Sequence, residues 1–134
     1  LPLLAGGARM LAAESDADAL AALKAGVDAA GYGAQLTISQ TDLANAPLTG
    51  ETLPPVDLAI IDPPRSGAAA QVTALVDASS PPQRIAMVSC NPASFARDAA
   101  MLVAGGYVFD RLRMIDQFRF APHVELVAGF VRQD

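Results

Sequence analysis

The sequence predicts an α/β fold built on a mostly parallel sheet, and three observations carry that reading. Short runs of β-type residues alternate with alanine-rich helical stretches, the pattern of a parallel sheet covered by helices. The last two runs have no helical pattern between them, so they pair antiparallel as a hairpin-like ribbon at the end of the sheet. Apolar residues make up 52% of the 134 and no long low-complexity tract interrupts them, which suits one compact folding unit with a substantial core.

The elements follow in order. Leu1-Pro2-Leu3-Leu4-Ala5 reads as the tail of a helix, and Gly6-Gly7 as the link to a first strand over Arg9–Glu14. A helix over Asp16–Ala30 comes next, with Ser15 and Asp18 spaced as a capping box and Gly31 as the stop. With the run Gln35–Ser39 this completes a βαβ unit. Ala46 to Pro55, rich in turn residues, reads as a surface loop. Val56–Ile61 and Arg84–Ser89 are the next strands, and the helix after the second has Asn91 as its cap, Pro92 at its first position and Gly105-Gly106 as its terminator. Tyr107–Ile115 and Glu125–Arg132, joined by Asp116–His123, form the terminal ribbon.

Composition narrows the function. Net charge is −5, with Arg supplying eight of the nine cations, a poor footprint for an isolated nucleic-acid-binding module. Nothing approaches a membrane span, and the Leu1 start lacks the regions of a signal peptide, so a soluble cytoplasmic protein is expected. No protein partner is evident. The single cysteine, Cys90, can form neither an internal disulfide nor a cysteine-rich metal site, so it is buried filler or a reagent, and no metal is expected.

In open α/β sheets ligands bind beyond the carboxyl ends of the strands, and Glu14, Asp42, Asp62 and Cys90 each close or follow a strand there. Glu14 suits a pair of ribose hydroxyls, because a carboxylate offers two acceptors and no donor; an acidic helix start is the plain alternative. Asp62-Pro63-Pro64-Arg65-Ser66-Gly67 leaves a buried-looking strand through two prolines that hold Asp62 at the sheet's edge; otherwise the segment is a rigid turn without a ligand. Cys90 stands just before a helix start, where the dipole and free N–H groups favour a reactive thiolate; the other reading is a small buried apolar residue. Glu125, in His123-Val124-Glu125, follows an apolar segment and could accept a proton, or simply be a solvated strand-end glutamate. His123, the only histidine, reads as a neighbour.

Taken together, Asp62-Pro63-Pro64-Arg65, then Ser89-Cys90-Asn91-Pro92 with Arg97-Asp98 in the following helix, then Asp116 and Phe118 before His123-Val124-Glu125, resemble the RNA uracil-5-methyltransferases of transfer and ribosomal RNA. The match is collinear across nearly the whole chain. The resemblance implies a Rossmann-like class I methyltransferase sheet, mostly parallel with an antiparallel C-terminal strand, dependent on S-adenosylmethionine. It implies that Cys90 attacks the base at C6 and that Glu125 later removes the C5 proton. Glu14 is then expected at the cofactor's ribose, Asp42 near its adenine and Asp62 near its methionine end. Arg65 and Phe118 fall on the substrate side, with Phe118 and Phe120 as surfaces for a flipped base. Phe118 is followed by Arg119-Phe120-Ala121, where the family often has a Phe-Pro-x-Thr segment, so the resemblance leaves the target RNA open. It also implies that the chain is a truncated catalytic domain, starting just after the first strand and its glycine-rich turn, and inactive alone. The family's RNA-binding portion, and the iron–sulfur cluster of some members, would lie in the missing N-terminal part. A class I methyltransferase of another substrate with a structural cysteine, and a noncatalytic scaffold of the same fold, are the competing readings.

Overall fold

A computed structural model describes residues 1–116 and 124–133. They form two compact units, Leu1–Ala46 and Pro47–Asp134; the boundary falls where the Ala46–Pro55 loop begins.

In the first unit a short helix α1 (Pro2–Ala5) precedes strand β1 (Met10–Glu14), helix α2 (Ala17–Ala29) and strand β2 (Leu36–Gln40). β1 and β2 pair in parallel, from Met10 opposite Leu36 to Glu14 opposite Gln40, so this is the expected βαβ unit. Leu4, Leu20 and Val27 are its buried side chains. The cap differs from expectation: Asp16, not Ser15, starts α2, its Oδ1 accepting the N–H groups of Asp18 at 2.8 Å and Ala19 at 3.1 Å. Ser15 is turned the other way, onto the Glu14 carboxylate, so no capping box forms there. Gly31 ends the helix at φ 81, and the N–H groups of Gly31 and Tyr32 reach back to the carbonyls of Asp28 and Val27, the paired closure that a left-handed glycine permits.

The second unit contains β3 (Leu58–Ile61), α3 (Ala69–Val76), β4 (Arg84–Ser89), α4 (Pro92–Ala104), β5 (Tyr107–Ile115) and β6 (Glu125–Arg132). Its sheet runs β3-β4-β6-β5. β3 and β4 are parallel, whereas β6 lies antiparallel between β4 and β5. The terminal ribbon is therefore as expected, with its last strand inserted toward the sheet's interior. Strand alternation decides the core. Ile85 and Met87 of β4 lie across from Phe130 and Ala128 of β6, and all four are buried in one cluster with Val72 and Leu75 of α3 and Phe95, Ala99 and Leu102 of α4. The spacing of the three α4 residues places them on one helical face. The buried amide of Gln71 anchors the loop after the unit boundary, accepting from Leu48 N at 2.7 Å and donating to Leu48 O at 3.2 Å. Within β5 the ladder is irregular between Phe109 and Arg111.

Tyr107 closes the far end of the core. It is 1% exposed, donates its hydroxyl to the Pro82 carbonyl at 2.7 Å, and lies beneath the Arg132 guanidinium, 5.5 Å from the ring centroid. Burial pushes its phenol above the ordinary tyrosine value, with Arg132 opposing. Because the folded-state value is raised, the neutral ring's contribution is complete below the ordinary tyrosine range and is lost as pH rises through the raised value. Tyr107→Phe leaves the Pro82 carbonyl without this donor and should lower unfolding free energy by about 1–2 kcal/mol in urea titrations. The same variant should flatten the alkaline loss of stability; an unchanged alkaline limb would show that another group controls it.

Candidate active site

Three of the residues singled out in the sequence meet at one end of the second unit's sheet. β3 and β4 are parallel with Ile61 opposite Met87, so Asp62 and Cys90 leave their strands at the same edge. β4 and β6 are antiparallel, and their last pair is Ser89 opposite Leu126. Cys90 and Glu125 are the next residue on each strand. A thiol-bearing and a carboxylate-bearing residue thus follow the last pair of neighbouring strands, with a second carboxylate residue one strand away.

The backbone around Cys90 is held from both sides. Ser89, 2% exposed, uses its hydroxyl to donate to the Asn91 carbonyl and accept the Asn91 N–H, both at 3.2 Å. Asn91 caps α4 as the sequence predicted, its Oδ1 accepting from Ala93 N at 3.0 Å. Cys90 itself is half-buried and precedes a 13-residue helix, whose N-terminal field favours an anion nearby. The same Asn91 donates through Nδ2 to the Arg65 carbonyl at 2.8 Å. The segment after β3 is therefore tied to the residue that follows Cys90. Arg65 and Asp62 are exposed, and a turn closed by the Gly67 N–H to the Pro64 carbonyl at 2.9 Å fixes the chain between Pro64 and Gly67. Glu125 is half-buried. Phe118, Phe120 and His123 lie outside the described residues.

Glu14 and Asp42 belong to the first unit. Glu14 Oε1 accepts from Ser15 N at 2.6 Å, Asp16 N at 3.0 Å and Ser15 Oγ at 3.1 Å. These bonds, led by the Asp16 and Ser15 N–H groups, stabilise the carboxylate and hold its pKa below the ordinary glutamate value. All three fall on Oε1, and the exposed carboxylate keeps acceptor capacity on Oε2, which fits a ribose diol. Asp42 is engaged in its own turn, with Oδ2 accepting from Asn45 Nδ2 at 2.7 Å and Oδ1 from Ala44 N at 3.0 Å. Those two bonds, Asn45 first, hold its carboxyl below the ordinary aspartate value. It is a turn-forming residue with lone pairs to spare, since a carboxylate offers about four acceptor sites. Among the described residues no group of three or more His, Cys, Asp or Glu side chains is gathered for a metal ion, and no helix is long and apolar enough to cross a membrane.

Sequence reading left Ser89, Gly67 and the bonds made by Arg97 and Asp98 without a part. Ser89 had a signal, a hydroxyl immediately before the cysteine and two residues before a helix cap. The others depend on contacts about thirty residues apart in sequence, which no local pattern exposes.

This α/β arrangement, with one antiparallel strand in an otherwise parallel sheet, is the fold of the class I, S-adenosylmethionine-dependent methyltransferases. The chain is similar in structure to a magnesium protoporphyrin IX methyltransferase of Synechocystis with bound SAM (TM-score 0.67, 20% identity, covering 98% of this chain and 63% of that one). It is similarly close to a precorrin-6y C5,15-methyltransferase of Geobacter metallireducens (TM-score 0.70, 12% identity, 93% and 68% covered). The profile of the tRNA (Uracil-5-)-methyltransferase family matches residues 55–132, and the chain belongs to that family. Two curated relatives, each called an uncharacterized RNA methyltransferase, are 41% identical over 129 residues (Caulobacter vibrioides) and 43% identical over 117 (Brucella suis). The matches cover 96% and 87% of this chain but only 31% and 28% of those proteins.

The double use of Asn91 is testable. Asn91→Ala removes both the cap and the tie to Arg65 and should destabilise the protein by about 1–2 kcal/mol in chemical denaturation. Asn91→Ser keeps a capping oxygen but cannot reach Arg65, so it should recover only the cap's share. Full recovery by serine would mean that the Arg65 bond contributes nothing.

Proposed function

We propose that the protein methylates C5 of a uridine in transfer or ribosomal RNA, with Cys90 as nucleophile and Glu125 as proton acceptor. The observation that carries this reading is the register of the β4–β6 ladder, which makes Cys90 and Glu125 successive to its last pair. Family membership supports the same chemistry. C5 of uracil is a weak nucleophile until a thiolate adds at C6. Cys90 Sγ forms a bond to C6, the C5=C6 π electrons move toward the C4 carbonyl, and C5 becomes electron-rich. S-adenosylmethionine supplies, when bound, an electrophilic methyl group; Glu14 would accept from its ribose, Asp42 would lie near its adenine and Asp62 near its methionine end. Once C5 carries the methyl group it still bears its hydrogen. Glu125 takes that proton, the electron pair re-forms the double bond, and the C6–S bond breaks to return the Cys90 thiolate.

A uracil stacked in folded RNA has to leave its stack before its C6 meets a thiol, so a flipped base is part of the proposal. Arg65, held beside the Cys90 turn through its own carbonyl, is the cation suited to the target's backbone, and Phe118 is the proposed stacking surface. An enzyme of this kind works in the cytoplasm, and the chain forms part of its catalytic domain.

Trapping with 5-fluorouridine-containing RNA tests the nucleophile, because fluorine at C5 cannot leave as a proton and the adduct persists. In the full-length protein Cys90→Ala should abolish both turnover and the trapped adduct; an adduct retained by that variant would sink the assignment.

Glu125→Gln should slow turnover by about 10²–10⁴-fold and accumulate a methylated covalent RNA–protein species on ordinary RNA. Normal turnover, or a folded variant that forms no adduct at all, would remove Glu125 from the role.

A further inference from the structure

The Arg97-Asp98 pair has no part in the chemistry above, yet it is tightly bonded to the segment after β3. Asp98 is 1% exposed. Its Oδ2 accepts the Ala68 N–H at 2.7 Å, and its Oδ1 accepts Arg97 Nε at 2.8 Å and Nη2 at 2.6 Å. Arg97 Nη2 also donates to the Ser66 carbonyl at 2.9 Å. With Asn91 on the Arg65 carbonyl, side chains of α4 and its cap hold backbone atoms of Arg65, Ser66 and Ala68. The residue among them without such a bond, Gly67, has φ 84. A Cβ there would meet Arg97 Nη2 and come within 2.5 Å of Asp98 Oδ2 and 3.0 Å of Ser94 Cβ. The guanidinium is half-exposed and could swing away. The buried carboxylate cannot move without abandoning its partners.

We infer that Arg97, Asp98 and Gly67 form a positioning latch that seats the Asp62–Ala68 segment on α4 and thereby sets where Arg65 and Asp62 stand relative to Cys90. The latch rests on the reading of Cys90 as nucleophile. Its logic is geometric. Asp62 and Cys90 end parallel neighbouring strands, but beyond the strand ends no ladder fixes their spacing. The α4 anchors restrain the segment after β3, and an ångström's misplacement of a substrate-positioning group costs about 10²-fold in rate. A buried carboxylate serves better than an exposed one because its bond to Ala68 N is shielded from water, and its charge is answered by the adjacent Arg97. None of the three touches the reacting atoms on this account, so they are positioning residues.

The test compares Arg97→Ala, Arg97→Lys and Gly67→Ala in the full-length protein by adduct formation with 5-fluorouridine RNA, equilibrium RNA binding and thermal unfolding. Arg97→Ala and Gly67→Ala should slow adduct formation by roughly 10–100-fold while RNA affinity stays within about twofold, since the latch sets geometry rather than contact. Methylation by the variants should show a lowered kcat. Arg97→Lys, able to reach Ser66 or Asp98 but not both as a fork, should fall between wild type and alanine. Folded variants that form the adduct at the wild-type rate would overturn the latch. If Gly67→Ala fails to fold, the two Arg97 variants decide, and a slowing matched by an equal loss of RNA binding would also overturn it. Absence of adduct in the wild-type protein would instead strike the proposed chemistry, leaving the two failures distinguishable.

Discussion

The register of the antiparallel ladder between β4 and β6 governs everything else in the second unit. Side chains alternate along each strand, so a slip of one strand by one residue would turn its own inward pair, Ile85 and Met87 of β4 or Ala128 and Phe130 of β6, from the helix-covered face to the opposite one. Each large apolar side chain so exposed forfeits about 1.5–3 kcal/mol of burial, a large share of the ~5–15 kcal/mol that holds a domain folded. Core packing thereby fixes the register without reference to function. Yet the same register makes Cys90 and Glu125 neighbours at the ladder's end. The two residues need no bond of their own to be brought to the same end of the sheet.

Beyond the ladder, position is maintained by short polar contacts. The Ser89 hydroxyl closes on Asn91 around the cysteine, and the Asn91 side chain divides its two ends between the helix it caps and the segment after β3. Pro63 and Pro64 reduce the states available to that segment before folding, so fewer contacts are needed to order it. The design moves from a rigid sheet to a cap and then to a loop, with α4 as the common support. A loop held in this way can be exposed, as Arg65 and Asp62 are, without being free.

How much of this was legible in the sequence follows from the range of each interaction. The strand runs, the Asn91 cap with Pro92 behind it, and the antiparallel ribbon were readable because each rests on residues within a few positions of one another. The start of α2 was not. Ser15 and Asp16 are both good caps, and the choice fell to Asp16 because the Ser15 hydroxyl and N–H groups are taken by Glu14, a competition that spacing does not reveal. Strand-end position made Glu14, Asp42, Asp62 and Cys90 candidates, since topology alone raises the standing of such residues. The sequence showed nothing of what Asp98 binds, because its partner Ala68 is distant and contributes only a backbone N–H.

Charge distribution gives the proposed chemistry its last constraint. Glu14 and Asp42 are held in their ionised forms by local N–H donors, so at neutral pH they present acceptors suited to hydroxyl and amino groups and unsuited to phosphate. Arg97, one of only nine cations in a chain of net charge −5, is committed to Asp98 and the Ser66 carbonyl. Few cations are left to grip an RNA backbone, whose affinity for protein comes chiefly from neutralised phosphates. On the proposed reading this chain therefore contributes the reacting groups and their alignment. Most of the RNA affinity has to come from polypeptide outside it, and the curated relatives have length for that, since the matched stretch is less than a third of either one. On the same reading, the choice of uridine rests on whether the base can enter and meet the thiol, a step that needs little phosphate affinity at the site itself.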